Sequence, residues 1–569
     1  MFSDLLTRGR AIFRAKPEAV AAPNAAYLSQ NGATAPAPAL GLVEKIKPAV
    51  VRGWVIDTDA KSSPIVEIVV NGRVVGRTVA CQPKTINGET IYAGFARKLR
   101  GLWKFLGPKD TIEVRCAGRV LPIVDHGYRY RYAKAKKKSR MNELCGKLDQ
   151  GFVFNKYGVL ALSIQRDLAW QKGITTLFWE LRDKLKHEFG VDLQVTYGTL
   201  LSAIRDGNFI GHDNDFDTCY ISRHKTPKKV RAEFIRICEF LIDAGYQVKV
   251  KKSHTWVMVP GTDYKMDIFF SWFSATGEYQ ASYGYHGPEI KRSSAFFRMK
   301  EVKLGAYTVS APEASEELLC HFYGPGWRVP DPGFSHYTAT RKLGREFLLR
   351  PTQVSRLYWK QHYRDATKIP AESSFARFVR PQISPDALVV EFGCGNGRDA
   401  LFFAREGLSV LGGDRCEEAI ARGREAAAPF GERCTLQVVD AGKVEPLATF
   451  LSQPQIEAAK QAGREVVVYM RSFLHVIPQK YQDRIFKALV RQLGGAKLCV
   501  EFRTDKDRPV KKRYKGPYRR FMNASDFKSE LAKKWGMKVQ HFEQVTGWAV
   551  TAEEDPHLCR VIAVLPSAG

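Results

Sequence analysis

Asp213, Asp215 and Asp217 stand at alternate positions near the end of TYGTLLSAIRDGNFIGHDNDFDTCYIS, residues 196–222. In an extended strand, alternate side chains share one face. Carboxylates crowded on one face repel each other unless a cation sits among them. Hard oxygen donors of this kind suit Mg²⁺ or Mn²⁺, which bridge substrate phosphates. Asp267 lies in the apolar run YKMDIFFSW, between Met266 and Ile268. A charge in such a run needs a partner, and a metal shared with the earlier aspartates would supply one. A solvated acidic turn with an unrelated Asp267 is the alternative.

A second chemical centre begins at Leu388, where LVVEFGCGNGRDALFFAREGLSVLGGD reads as strand, glycine loop, helix and strand. Gly393, Gly395 and Gly397 permit tight turning and close approach of a ligand to the backbone. Asp414 ends the next strand about twenty residues on, where a carboxylate binds ribose hydroxyls. A dinucleotide fingerprint requires a further glycine at position 398, which is Arg398. Glu391 instead places an acid just before the loop. An acid there suits the cationic sulfonium and amino group of S-adenosylmethionine better than a pyrophosphate. A structural domain of the same shape is the alternative. Further along, Asp440 falls near the expected adenine position. His475, after the strand Val466–Met470, is the general-base candidate, against a purely structural histidine. Arg503, Arg519 and Arg520 can grip a phosphate or acidic sugar, or form a solvated basic face.

The elements that must position these residues are partly legible. Ile174, Leu177, Phe178, Leu181, Leu185 and Phe189 fall on one helical face, Gly190 fits that helix's end, and Leu193–Thr196 reads as a short strand. Residues 41–125 look β-rich. Ile65–Val70 and Val74–Val75 flank Asn71-Gly72, a strong hairpin signal, and Gly53-Trp54-Val55 and Thr111–Cys116 add strands. An antiparallel sandwich fits, as a spacer or a glycan-binding module. Residues 1–16 mix Phe2, Leu5, Leu6, Ile12 and Phe13 with Arg8, Arg10, Arg14 and Lys16. That suits a basic amphipathic helix, either a membrane-surface anchor or a docked terminal helix. A linker follows to residue 40. Residues 126–149 form a basic linker carrying Arg129, Arg131, Lys134, Lys136, Lys137, Lys138 and Arg140.

Composition bounds the reading. The 569 residues are 44% hydrophobic and 26% charged, which excludes wholesale disorder and fibrous structure. Length suggests roughly three domains. No uninterrupted apolar run reaches the ~18–20 residues of a membrane span. The eleven Cys include no Cys-x-x-Cys pair and read as reduced thiols in a cytoplasm. The net charge of +29 implies attraction to a polyanion: nucleic acid, anionic lipid or a phosphate-rich substrate.

A glycine turn at Gly198-Thr199, a helix, and then Asp-x-Asp is the layout of the nucleotidyltransferase fold. YGTLLSAIRDGNFIGHDNDFD resembles the signature of the LicD/fukutin family of phosphotransferases, and APEASEELLCHFYGPGWRVPDP, residues 311–332, resembles that family's second marker. His212 stands where the family usually has Trp, and Asn214 lies between the first two aspartates. The resemblance, covering residues 150–345, implies transfer of a phospho-alcohol from a CDP-activated donor to a glycan. It implies a metal held by Asp215, Asp217 and Asp267, with Asp213 taking the acceptor's proton. Arg205, Arg328 and His254 are phosphate-contact candidates. Residues 350–569 resemble class I S-adenosylmethionine-dependent methyltransferases. The segments 358–379, 470–477, 501–507 and 518–527 resemble a group found beside bacterial capsule and O-antigen genes. This implies cofactor binding by Glu391, Gly393, Gly395, Gly397, Asp414 and Asp440.

The expected architecture is therefore multidomain: an N-terminal antiparallel β domain, a central α+β nucleotidyltransferase-like domain, and a C-terminal Rossmann-like α/β methyltransferase. The expected function is bifunctional synthesis of bacterial surface polysaccharide in the cytoplasm. Its acceptor would be a polysaccharide or lipid-linked glycan, with peripheral contact to anionic membrane. A nucleic-acid methyltransferase is a rival that the charge favours, but no nucleic-acid module accompanies it. A non-catalytic polymer-binding scaffold is the other.

Overall fold

The computed structural model describes residues 40–56, 64–86, 89–132, 138–281, 284–330, 345–509, 518–551 and 554–567. The expected basic helix at 1–16, the linker to residue 39, and Lys134, Lys136 and Lys137 lie outside the described residues. Among the described residues no helix is long and apolar enough to cross a membrane. The chain divides into two compact units, residues 1–237 with 253–347, and residues 238–252 with 348–569.

The first unit opens with two antiparallel sheets. One joins Leu40–Lys47, Val50–Ile56, Glu89–Arg97 and Gln82–Ile86, and the other joins Arg73–Val79, Ile65–Val70, Thr111–Cys116 and Arg119–Val120. Asn71 and Gly72 take φ of 48° and 84°, the left-handed pair that a tight hairpin requires. Val43, Val51 and Phe95 of one sheet share a buried cluster with Val66, Ile68 and Ile112 of the other, so the sheets pack face to face. The strands Phe152–Phe154 and Leu160–Leu162 then form a short hairpin. Asn155 Oδ1 accepts from the N–H groups of Tyr157 and Val159 at 2.9 and 3.1 Å and shapes its turn. The N–H of Gly101 donates to the carbonyl of Gly158 at 2.7 Å, tying that turn to the β-rich region.

The 22-residue helix Leu168–Phe189 is started by Asp167, whose side chain accepts from the Trp170 N–H, and ended by Gly190 at φ 66°. It buries Ile174, Leu177, Phe178, Leu181 and Leu185. Beneath it, Leu193–Val195 pairs antiparallel with Asp217–Ser222, which pairs parallel with Lys265–Phe273. His254–Met258 lies antiparallel on the far side of Lys265–Phe273. That strand is buried from Met266 to Phe273, so Asp267 sits in the middle of the unit's core.

The second unit is built on a seven-stranded sheet ordered Cys434–Val438, Ser409–Asp414, Leu388–Phe392, Val466–Arg471, Lys497–Arg503, Leu558–Val564 and Lys538–Val545. The first five strands are parallel; Leu558–Val564 runs antiparallel to them, and Lys538–Val545, antiparallel to Leu558–Val564, runs in the direction of the first five. Alternate residues feed two separate buried clusters. Val389, Val410 and Val467 belong to one, and Val390, Leu411 and Val468 to the other. Both faces are therefore covered, as a parallel sheet requires. Strand order reverses beside Leu388–Phe392, and in open doubly wound sheets ligands bind beyond the strand ends at such a switch point.

Candidate active sites

In the first unit, Asp217 opens its strand and Asp267 is its register partner on the neighbouring parallel strand. The extended segment expected to carry all three early aspartates is shorter: the strand begins at Asp217, and Asp213 and Asp215 approach it on irregular chain. A turn at Ile210–Asp213, closed by the Asp213 N–H on the Ile210 carbonyl at 2.9 Å, interrupts the extension.

Tyr197 sets the entry to the site. Its φ is 43°, a conformation rare for an aromatic residue, held by buried packing of its ring on Phe269 and Phe322. This aims the N–H of Gly198 at Asp217 Oδ2, 3.3 Å away, while Thr199 Oγ1 accepts from the Asp217 N–H at 2.8 Å. A Cβ on Gly198 would come 2.9 Å from Asp213 Oδ2 and 3.4 Å from Asp217 Oδ2. The two carboxylates thus converge on a backbone position that has no room for a side chain.

Two lysines that sequence reasoning missed also enter this site. Lys156, on the hairpin turn, reaches Asp213 Oδ1 at 3.1 Å and bonds Asp215 Oδ2. Lys265 lies 3.2 Å from Asp215 Oδ1 and 3.6 Å from Asp267 Oδ2. Lys265 was findable, because it stands two places before Asp267 on the same strand face; Lys156, far away in sequence, carried no such signal. Although burial opposes it, the two ammonium groups hold Asp215 below the usual carboxylate range. Asp267 is pushed up to about 6 by burial, with Lys265 opposing and Asp215 adding. Asp217 is raised well above its ordinary value by burial and by the charge of Asp267.

Of the phosphate-contact candidates, His254 Nε2 stands 3.4 Å from Asp267 Oδ1. Arg205 is paired with Asp206, and Arg328 with Glu316. Among the described residues no three His, Cys, Asp or Glu side chains converge in a metal-holding arrangement. The donor set still fits a divalent ion. Half-buried Asp217 and buried Asp267 are unfavourable as anions without a cation, and Asp213 and Asp217 converge on the side-chain-free face of Gly198. Asp215 is engaged by Lys156 and Lys265 in this arrangement.

In the second unit, Gly393, Gly395 and Gly397 all adopt positive φ, between 56° and 77°. Gly395 shows why no other residue suffices: a Cβ there would lie 2.1 Å from the Tyr363 hydroxyl oxygen. Asp414 ties this loop to the next strand, accepting from the N–H of Gly395 at 3.0 Å and of Cys416 at 2.9 Å. Burial pushes its carboxyl up, and those two N–H groups oppose the shift. Glu391 is 4% exposed, and its Oε2 has no hydrogen-bond partner among the described residues. Burial and nearby Asp399 raise it well above its ordinary value. Asp440 accepts from the Gly442 N–H at 3.1 Å and remains partly exposed.

A buried network unforeseen from sequence underlies the loop. Asp399, 1% exposed, accepts from Arg471 Nε at 2.8 Å, the Tyr469 hydroxyl at 2.9 Å, and the N–H and hydroxyl of Ser373 at 2.8 and 2.7 Å. His475 is buried, and its Nδ1 accepts from the Arg503 N–H at 3.4 Å. Burial and then Arg503, Arg519, Arg520 and Arg471 depress its basicity. The unpartnered Oε2 of Glu391 and the carboxylate of Asp414 beside the glycine loop fit a cofactor with a cationic end and a ribose.

Residues 190–314 match the family model described as LicD/FKTN/FKRP, nucleotidyltransferase domain. No curated protein matches the chain in sequence. Among solved structures, a SAM-dependent methyltransferase from Methanosarcina mazei is 18% identical with a TM-score of 0.26, the match covering 33% of this chain and 97% of that one. One from Anabaena variabilis is 15% identical with a TM-score of 0.29, covering 38% and 96%. The glycopeptide N-methyltransferase MtfA is 16% identical with a TM-score of 0.27, covering 34% and 97%. Residues 190–314 are a LicD-family domain within a longer multidomain α/β chain.

Proposed function

We propose that the chain is a bifunctional transferase of bacterial surface polysaccharide. The first unit would move a phospho-alcohol from a CDP-activated donor to a glycan hydroxyl, and the second would methylate the glycan or its phosphoryl substituent. The observation that carries this reading is the convergence of Asp213 and Asp217 on Gly198, with Asp267 the register partner of Asp217, inside the LicD-matched stretch.

In this reading Asp217 and Asp267 would hold a divalent ion, with Asp215 the third carboxylate beside them. When bound, Mg²⁺ or Mn²⁺ neutralises the donor pyrophosphate. Asp213 accepts the proton of the attacking hydroxyl as the new P–O bond forms and the bond to the CMP oxygen breaks. Lys156 and Lys265, paired with these carboxylates, would supply positive charge beside the pyrophosphate.

In the second unit Glu391 would take the amino group of S-adenosylmethionine, Asp414 its ribose hydroxyls, and Asp440 its adenine edge. The cofactor supplies an activated methyl group. Tyr363, whose hydroxyl fills the space a Gly395 side chain would need, packs against the loop. The buried Asp399–Arg471 pair holds the strand ends that carry these residues.

The test is mass spectrometry of capsular glycan incubated with the full chain, Mg²⁺, CDP-choline or CDP-ribitol, and S-adenosylmethionine. Both a phospho-alcohol and a methyl increment are expected. Failure of every CDP-alcohol and glycan pair to give a metal-dependent product would overturn the phosphotransfer reading.

A further inference from the structure

Lys156 sits on the turn between the strands Phe152–Phe154 and Leu160–Leu162. The Gly158 N–H closes that turn on the Asn155 carbonyl at 2.9 Å, with Lys156 and Tyr157 as its middle residues. Whatever fixes Phe154 before the turn and Gly158 after it therefore fixes where the Lys156 side chain starts.

The N-terminal β domain fixes both. Phe154 is 2% exposed and shares a buried cluster with Phe95, Leu99 and Leu102. Arg97 Nη2 donates to the Phe154 carbonyl at 2.6 Å, and burial disfavours the charge of that guanidinium. Gly158 takes φ of 76°, and a Cβ there would lie 2.7 Å from the Arg100 nitrogen and 2.8 Å from the Leu99 nitrogen. Both are main-chain atoms that cannot swing aside, so only glycine lets the turn lie this close. From the same stretch the Gly101 N–H donates to the Gly158 carbonyl at 2.7 Å.

On its other side the hairpin meets the aspartates. Lys156 Nζ lies 3.1 Å from Asp213 Oδ1 and bonds Asp215 Oδ2. The chain leaving the hairpin is tied to the loop before them. The Ile164 N–H donates to the Gly211 carbonyl at 3.2 Å, and Gln165 Nε2 to the Phe209 carbonyl at 2.6 Å. A lysine has a long flexible stem, so its ammonium keeps one place only where the backbone beneath it is held. Arg97 and Lys156 both lie outside residues 190–314. The matched stretch supplies the carboxylates, and the hairpin seated on the β domain brings a cation to them.

We propose that the β domain is part of the phosphotransfer site. Arg97 and Gly158 are positioning residues that seat the hairpin and so hold Lys156 against Asp213 and Asp215. A mere spacer needs no such seat. The inference rests on the phosphotransfer reading above.

The experiment uses the full chain as wild type, Arg97→Met, Arg97→Lys, Gly158→Ala and the exposed control Lys109→Met. Each lysine's acetylation rate by N-hydroxysuccinimidyl acetate in EDTA is read by peptide mass spectrometry. A nitrogen held between two carboxylates is shielded, so Lys156 should react slowly in wild type and the control. It should react several-fold faster in Arg97→Met and Gly158→Ala, with Lys265 unchanged, and Arg97→Lys should restore part of the shielding. Mn²⁺ affinity is read by paramagnetic resonance. It should rise about tenfold in Arg97→Met and Gly158→Ala, the low end for loss of a charge-assisted bond. In the Lys156→Met background neither substitution should add to it. Equal Lys156 acetylation in wild type and both variants overturns the proposal. So does faster acetylation of Lys156 and Lys265 together, which marks loosening of the whole site, or a gain in Mn²⁺ affinity that persists without Lys156. A wild-type chain that binds no Mn²⁺ overturns the metal-dependent phosphotransfer reading, while the acetylation pattern decides the seating of Lys156 independently.

Discussion

Asp217 and Asp267 are register partners on adjacent parallel strands, which brings two acids together in the core of a LicD-family domain. Pairing them there is costly without a cation. The cost appears as carboxyl groups that hold their protons more tightly than usual.

That cost predicts a pH signature. Asp267 has its affinity for protons raised in the folded state, to about 6, above the ~4 of an unfolded aspartate. The folded chain therefore binds more protons between those values, and stability falls as pH rises through the window. Thermal melts in EDTA from pH 4 to 7 should show this decline in wild type and a shallower one in Asp267→Asn. Added Mg²⁺ should flatten the wild-type curve. Parallel curves for both proteins would reject the assignment.

Gly198→Ala should slow phosphotransfer about 10²-fold with little loss of stability. The new Cβ would press on Asp213 Oδ2 at 2.9 Å, displacing a carboxylate from its working position. Misplacement on this scale costs about 10²-fold in rate. Steady-state kinetics beside a thermal melt separates this outcome from simple misfolding.

Lys156→Met should strengthen divalent-metal binding. The Lys156 ammonium shares Asp213 and Asp215, so it competes with a metal for the same oxygens. Removing it should raise Mn²⁺ affinity by about tenfold, equivalent to ~1.4 kcal/mol, read by paramagnetic resonance of free Mn²⁺. Weaker Mn²⁺ binding in the variant would instead make the lysine a support of the metal site.

Asp414→Ala and Gly395→Ala should fail differently. Asp414 lies at the strand end and accepts two backbone N–H groups. Its loss should weaken S-adenosylhomocysteine binding by roughly 10- to 150-fold, the range for charge-assisted hydrogen bonds. Gly395→Ala forces a side chain into φ 56° and onto the Tyr363 hydroxyl. It should lose binding and also about 1–3 kcal/mol of stability. Calorimetric titration paired with melts distinguishes the two, and full binding by Gly395→Ala would dissociate the loop from the cofactor.

Much of the scaffold was legible locally. The Asn71-Gly72 turn, the apolar face and Gly190 stop of the helix Leu168–Phe189, and the strand–loop–helix around Gly393 depend on neighbours within a few residues. Backbone angle and periodicity are written at that range. The same holds for Asp414, which follows the loop by one helix and one strand.

What the sequence by itself determined was a list of chemical groups and the short elements bearing them: four aspartates, a glycine loop with its acid, and a basic run. The tertiary structure decided which of them act together. It paired Asp217 with Asp267, carried Lys156 into their company from a distant hairpin, placed Tyr363 over Gly395, and bound Arg503 to Asp507 and Glu554. Such pairings depend on strand register and on the packing of segments far apart in the chain. No local propensity encodes them, because the energy that selects them is the burial and pairing of charges that meet only once the core has closed.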